Sequence, residues 1–279
     1  MNKFFRILCA GSLLAGLFFS QLSVAQVSSN EDVIYGHKDG MALVYSVLSP
    51  ADANGAAVVF MVSGGWYSRW SESTVYERMF ADELAAGFTV IPVHHGSAPR
   101  YHVPDAYADV SRAIRHIKMN AEAYGIDANR IGVTGGSAGG HLSLMLGLNT
   151  DSGQQDDSDE VMQMDNSVAT IVAYFPPVDL RDIAGPNDRF PALNFDVAKA
   201  AAISPILHVD EADPSVLLIH GDADDLVNIS ASEIMFAELK KQKVESEFIV
   251  IPGGQHGFRG ENAKTANKAR LEWFKKHLL

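Results

Sequence analysis

Apolar residues along this chain fall into two rhythms that alternate. Ala56 to Val62 is a continuous apolar run rich in Val, the pattern of a strand buried on both faces. Comparable short segments follow at 88–93, 130–134, 168–174, 215–220 and 245–251. Between them, segments 74–86, 104–124, 138–148, 230–241 and 262–278 read as helices. Gly87 and Gly125 stand where the first two of these should stop. Ahead of this series, 33–37 and 41–48 read as two strands joined at Lys38-Asp39-Gly40, a hairpin signal.

Strand and helix alternating from residue 56 onward predict an α/β domain, with a mostly parallel sheet covered by helices on both faces. The opening hairpin adds antiparallel strands at one edge. In such sheets, sites form at the carboxyl ends of the strands. Two segments interrupt the rhythm. Residues 150–166 are polar and acidic, which predicts a mobile surface loop. Residues 176–213 hold several prolines and irregular polarity, which predicts a small lid or insertion.

Composition narrows the picture. A length of 279 residues suits one large α/β domain, and 47% hydrophobic with 20% charged residues suits a sizeable core. A net charge of −12 disfavours nucleic acid and anionic membrane as partners. The first 25 residues stand apart: Lys3 and Arg6, then an apolar run from Ile7 to Phe19, then Ser23-Val24-Ala25. That order predicts a signal peptide cut after Ala25 and a mature domain over 26–279, secreted or periplasmic, without stable membrane insertion. Cys9 is the only cysteine and would leave with this segment, so the mature chain has neither a disulfide nor a thiol nucleophile.

The strongest chemical signal is Gly135-Gly136-Ser137-Ala138-Gly139. It matches G-x-S-x-G and lies between a predicted strand and a predicted helix. A sharp turn there leaves room only for small neighbours and lifts the Ser137 hydroxyl beside a helix N-terminus. The alternative is a glycine-rich helix start without chemistry. A nucleophilic serine needs a base, and His256 stands in a glycine-rich loop before the last helix. His94, His95 and His102 share one loop, but no acidic residue completes a metal-ligand pattern there, so neither metal nor cofactor is called for. His141 lies one turn past Ser137, where packing or a local hydrogen bond accounts for it, and His220 fits a buried strand end. The acid that orients His256 should follow the strand ending at His220, where Asp222, Asp224 and Asp225 all compete. Backbone N–H groups for an oxyanion should come from Ala138 and from the glycines in Ser63-Gly64-Gly65. Trp66, Tyr67 and Trp70 follow in what reads as an exposed loop, either a substrate wall or lid packing.

The sequence resembles the α/β-hydrolase esterases, especially compact bacterial carboxylesterases related to the feruloyl and acetyl-xylan esterases. The resemblance spans nearly the whole chain after residue 26. It is carried by the Tyr35–Gly40 hairpin, by Tyr124-Gly125-Ile126-Asp127 and Arg130-Ile131, and by the run from Gly136 to His141. Ala98-Pro99, Val103-Pro104 and Asp109 are similar to a segment of hormone-sensitive-lipase-like esterases. The resemblance implies a Ser137, Asp224, His256 triad, since the pattern His-Gly-x-x-Asp-x-x-Val places the acid on Asp224, with Asp222 as the fallback. It also implies Gly64, Gly65 and Ala138 as oxyanion donors. The usual His-Gly-Gly-Gly loop is here Val62-Ser63-Gly64-Gly65, so its supporting hydrogen bonds must differ. No long cap helix precedes the first strand, which implies an open pocket shaped by 66–73 and 176–213. The expected substrate is a small-molecule or glycan ester, and oligomeric state is left open. Two rivals are a prolyl-oligopeptidase-like peptidase, which lacks support without a propeller, and a non-catalytic binding module, which would normally have lost a triad member.

Overall fold

The structure is a computed structural model that describes residues 27–279. The expected signal peptide lies outside the described residues. The sheet has eight strands: β1 (Val27–Lys38), β2 (Met41–Pro50), β3 (Ala57–Met61), β4 (Thr89–Val93), β5 (Ile131–Gly136), β6 (Thr170–Tyr174), β7 (Ser215–Gly221) and β8 (Ser246–Ile251). Their order is β1-β2-β4-β3-β5-β6-β7-β8. β1 pairs antiparallel with β2, and β2 with β4, while the strands from β4 to β8 run parallel. This is the α/β-hydrolase architecture with an antiparallel edge. Residues of β4 and β6 are buried throughout, as their unbroken apolar runs require.

Helices α1 (Ser73–Met79), α2 (Ala81–Ala85), α3 (Val103–Met119), α4 (Ala138–Leu148), α5 (Glu160–Gln163), α6 (Ser230–Lys241) and α7 (Gly260–Leu278) complete the fold. One apolar cluster includes Val59, Val133, Ile114 and Leu142 from β3, β5, α3 and α4. A second includes Val58, Phe80, Leu217 and Phe274. Adjacent residues of β3 thus point into opposite clusters, which is how one strand anchors both layers. Among the described residues no helix is long and apolar enough to cross a membrane.

Two expectations need correction. The helix predicted over 74–86 is broken at Phe80, whose φ of −117° leaves the helical range. The break accompanies deep burial: the Phe80 ring meets Phe60 at 5.2 Å and lies 4.3 Å beneath the Arg270 guanidinium. Arg270 in turn donates to Glu83 at 2.8 Å, a buried pair that ties α2 to α7. The acidic loop 150–166, expected to be mobile, is fastened to α3: Arg112 pairs with Asp159, Arg115 with Asp151 and Lys118 with Asp165. These cations stand three residues apart along α3, so they share a face and meet the loop's carboxylates. Residues 176–213 contain no strand and fold as short 3₁₀ turns, including Pro191–Leu193 and Val197–Lys199.

Candidate active site

Ser137 is the hinge between β5 and α4, with φ 55° and ψ −119°. A non-glycine residue with positive φ is strained and persists only where its surroundings hold it. Here the Ser137 N–H donates to the Tyr174 carbonyl at 2.9 Å, and its own carbonyl accepts the His141 N–H at 2.9 Å. The tight turn explains Gly135: a Cβ there would lie 2.4 Å from the Gly139 carbonyl carbon, and backbone cannot yield. The hydroxyl of Ser137 makes no hydrogen bond among the described residues. Catalytic hydrogen bonds of ligand-free sites often tighten only when substrate binds.

Asp224 and His256 meet directly. A carboxylate cannot donate, so His256 Nδ1–H donates to Asp224 Oδ2, at 2.8 Å. That leaves Nε2 as the imidazole's free lone pair. The Asp224 side chain is 0% exposed. Burial pushes its carboxyl up, but hydrogen bonds from His256 and from the Val227 and Leu226 N–H groups outweigh burial and hold it below the usual range. Asp222 turns elsewhere, accepting the Gly253 N–H at 2.6 Å. Geometry therefore selects Asp224 as the partner of His256.

His220 is buried at the end of β7 as expected, but sequence reasoning missed its contact with Asp224, and missed Phe175. His220 Nε2 lies 2.9 Å from the Val227 carbonyl and 3.4 Å from Asp224 Oδ2. With acceptors on that side, Nε2 carries the proton and Nδ1 accepts the Ser232 hydroxyl at 2.8 Å. Burial lowers the His220 pKa, so a neutral ring backs the carboxylate. Phe175, directly after β6, has φ 36° and packs 4.6 Å from the His256 ring. A Cβ on Gly136 would lie 3.1 Å from its ring. Phe175 thus touches both the serine elbow and the histidine loop, and its only sequence signal is its place at a strand's carboxyl end.

The glycine loop after β3 forms a tight turn. Gly64 and Tyr67 exchange both backbone hydrogen bonds at 3.0 Å, and Gly65 and Trp66 between them have φ 58° and 59°. Two positive φ values in a two-residue connection define a type I′ turn. Gly64, expected as an oxyanion donor, has its N–H paired with the Tyr67 carbonyl in this turn. The N–H groups of Gly65 and Trp66 have no hydrogen-bond partner among the described residues. Ala138 opens α4, where an N–H has no acceptor inside the helix. The departure at Ser63 is compensated: its hydroxyl lies 2.9 Å from His95 Nε2, and His95 Nδ1–H donates to the Gly96 carbonyl at 2.9 Å. Burial lowers the His95 pKa to about 4, which keeps the ring neutral and able to accept from Ser63.

The aromatic residues separate. Trp66, expected in an exposed loop, is only 4% exposed and packs edge-on to His141 at 5.5 Å. His141 Nε2–H donates to the Ile203 carbonyl at 2.8 Å, and burial lowers its pKa to about 4. This buried partner is why the indole turns inward. Tyr67 is half-buried against the core. Trp70 is 54% exposed and donates from Nε1 to Asp32 at 2.8 Å. A cavity of about 240 Å³ opens over Ser137, lined by Gly65, Trp66, Leu226 and Val227, and by Pro177 and Phe190 from the 176–213 segment. Trp66 lines this cavity, while Tyr67 and Trp70 do not. Among the described residues no group of three His, Cys, Asp or Glu side chains could hold a metal ion.

Comparisons with known proteins return esterases and the same fold. The family described as BD-FAE matches residues 46–239. Esterase LipC of Mycobacterium tuberculosis is 26% identical over 244 residues, covering 81% of this chain and 59% of its own length. The chain spans about half the length of the curated relatives it matches. A truncated carbohydrate esterase from gut microbiota superposes with a TM-score of 0.75 at 27% identity, over 91% of this chain and 97% of the other. An acetyl ester-xyloside bifunctional hydrolase from Caldicellulosiruptor lactoaceticus gives a TM-score of 0.74 at 24% identity, over 88% and 95% of the two chains, and shares the fold.

Proposed function

The chain belongs to the BD-FAE family of α/β-hydrolases, and we propose that it is a serine carboxylesterase acting on small or carbohydrate-linked esters. The observation that carries this reading is the hydrogen bond from the half-buried His256 to the buried Asp224 carboxylate, together with the strained Ser137 elbow. His256 Nε2 takes the Ser137 proton as Oγ attacks the ester carbonyl carbon. Asp224 holds the tautomer and stabilises the imidazolium. The N–H groups of Gly65, Trp66 and Ala138 receive the oxyanion. Collapse expels the alcohol, protonated by His256. Water then attacks the acyl-enzyme with His256 as base, and the acid leaves.

The segment ahead of residue 26 supports export with cleavage after Ala25, to the periplasm or the exterior. Residues 176–213 act as a small lid, since they supply one wall of the cavity. That cavity is smaller than the range of about 300–1,000 Å³ usual for drug-sized ligands, which favours a short acyl group. The carbohydrate esterase among the similar structures makes an acetylated sugar a fitting alcohol part.

Profiling p-nitrophenyl acetate, butyrate and octanoate beside an acetylated xylo-oligosaccharide tests this reading. Turnover should be highest for acetate or butyrate and drop about tenfold by octanoate, as a cavity of about 240 Å³ has little room for added methylenes. A maximum at octanoate, or no hydrolysis of any ester, would contradict it.

A further inference from the structure

Ester hydrolysis needs no charged residue on the lining of the cavity over Ser137, yet one is present. Ile183, Phe190, Leu193, Leu226 and Val227 make the walls apolar, and Arg189 stands among them. Arg189 is the one charged residue on this lining, and no Asp or Glu shares it. It has no ion-pair partner among the described residues. Arg189 is exposed, and its guanidinium carbon sits 5.4 Å from the ring of Phe190, a residue of the same lining.

One other polar side chain on the lining offers an N–H donor. Asn187 spends its Oδ1 on the Phe190 N–H at 2.9 Å, which leaves its amide NH₂ as the free end. A lining with one cation, the Asn187 amide donor and no carboxylate is complementary to an anion. The whole-chain charge of −12 works the other way, so attraction of an anion here must be local.

We propose that Arg189 is a specificity residue that reads a carboxylate on the substrate, an ester with an anionic group within reach of its scissile carbonyl. The inference rests on the esterase reading of Ser137. A guanidinium fits a carboxylate through paired N–H donors, which a neutral hydroxyl cannot match. The carboxylate could belong to the acid part, as in a dicarboxylic hemiester, or to the alcohol part, as in an acetylated uronic acid.

The test compares kcat/KM for charged and neutral esters of matched shape in two arms. The acyl arm sets mono-p-nitrophenyl glutarate against p-nitrophenyl valerate, with spontaneous hydrolysis subtracted. The alcohol arm sets acetylated glucuronic acid against its methyl ester, with released acetate measured. In at least one arm the charged-to-neutral ratio should fall about tenfold in Arg189→Gln and further in Arg189→Glu. Arg189→Lys should recover much of it. The arm that responds locates the carboxylate. Ratios within twofold of the wild type in both Arg189→Gln and Arg189→Glu, on both arms, would overturn the proposal. If wild-type protein hydrolyses neither the charged nor the neutral esters, the esterase reading itself fails and takes this inference with it.

Discussion

Ser137→Ala is expected to lower kcat/KM for p-nitrophenyl acetate by about 10⁵-fold, about 7 kcal/mol of transition-state stabilisation. The loss should fall on kcat, because the hydroxyl makes no hydrogen bond that would position substrate and Ala leaves the cavity open. The Gly65, Trp66 and Ala138 N–H groups remain, so slow hydrolysis above the water rate should persist. Alanine meets the same backbone demand as serine at φ 55°, and the Ser137 N–H bond to Tyr174 is untouched. Thermal unfolding should therefore stay close to the wild type. A variant that keeps wild-type turnover would remove Ser137 from the chemistry.

Asp224→Asn should cost about 10⁴-fold in kcat with little change in fold. The asparagine oxygen can still accept from Leu226 and Val227 N–H, which Asp224 Oδ1 receives at 2.9 and 3.0 Å. Its NH₂ then faces His256 Nδ1 where a carboxylate oxygen stood. That forces Nδ1 to accept, moves the ring proton to Nε2 and removes the lone pair that would take the Ser137 proton. Asp222→Asn should stay within a few-fold of the wild type, since Asp222 meets only the Gly253 N–H. The reverse pattern in steady-state rates would make Asp222 the acid.

Much of this architecture can be read from one-dimensional pattern, and the reason is burial. Strands covered on both faces must be apolar along their length, so β3, β4 and β6 announce themselves. The serine elbow is equally legible, because Gly135 and its neighbours are sterically required by the turn they make. Side-chain direction within a loop is less so. Asp222 and Asp224 are chemically identical and two residues apart. Only the turn in which Asp224 accepts two N–H groups aims its other oxygen at His256. Which N–H of a glycine loop stays free also depends on pairing across the turn, and Tyr67 takes that of Gly64. Trp66 is buried by His141, some 75 residues away in sequence, which no local window can register. The same distance problem hides the anchoring of 150–166, whose carboxylates answer cations on α3.

The central claim is that Ser137 is a nucleophile activated by His256. Intact-mass analysis after exposure to a fluorophosphonate probe tests it most directly, since the probe phosphonylates only an activated serine. The wild type should gain a single adduct that peptide mapping places on Ser137, while Ser137→Ala gains none and His256→Ala reacts far more slowly. A wild type that stays unlabelled, or a Ser137→Ala variant labelled as fast as the wild type, would contradict the account.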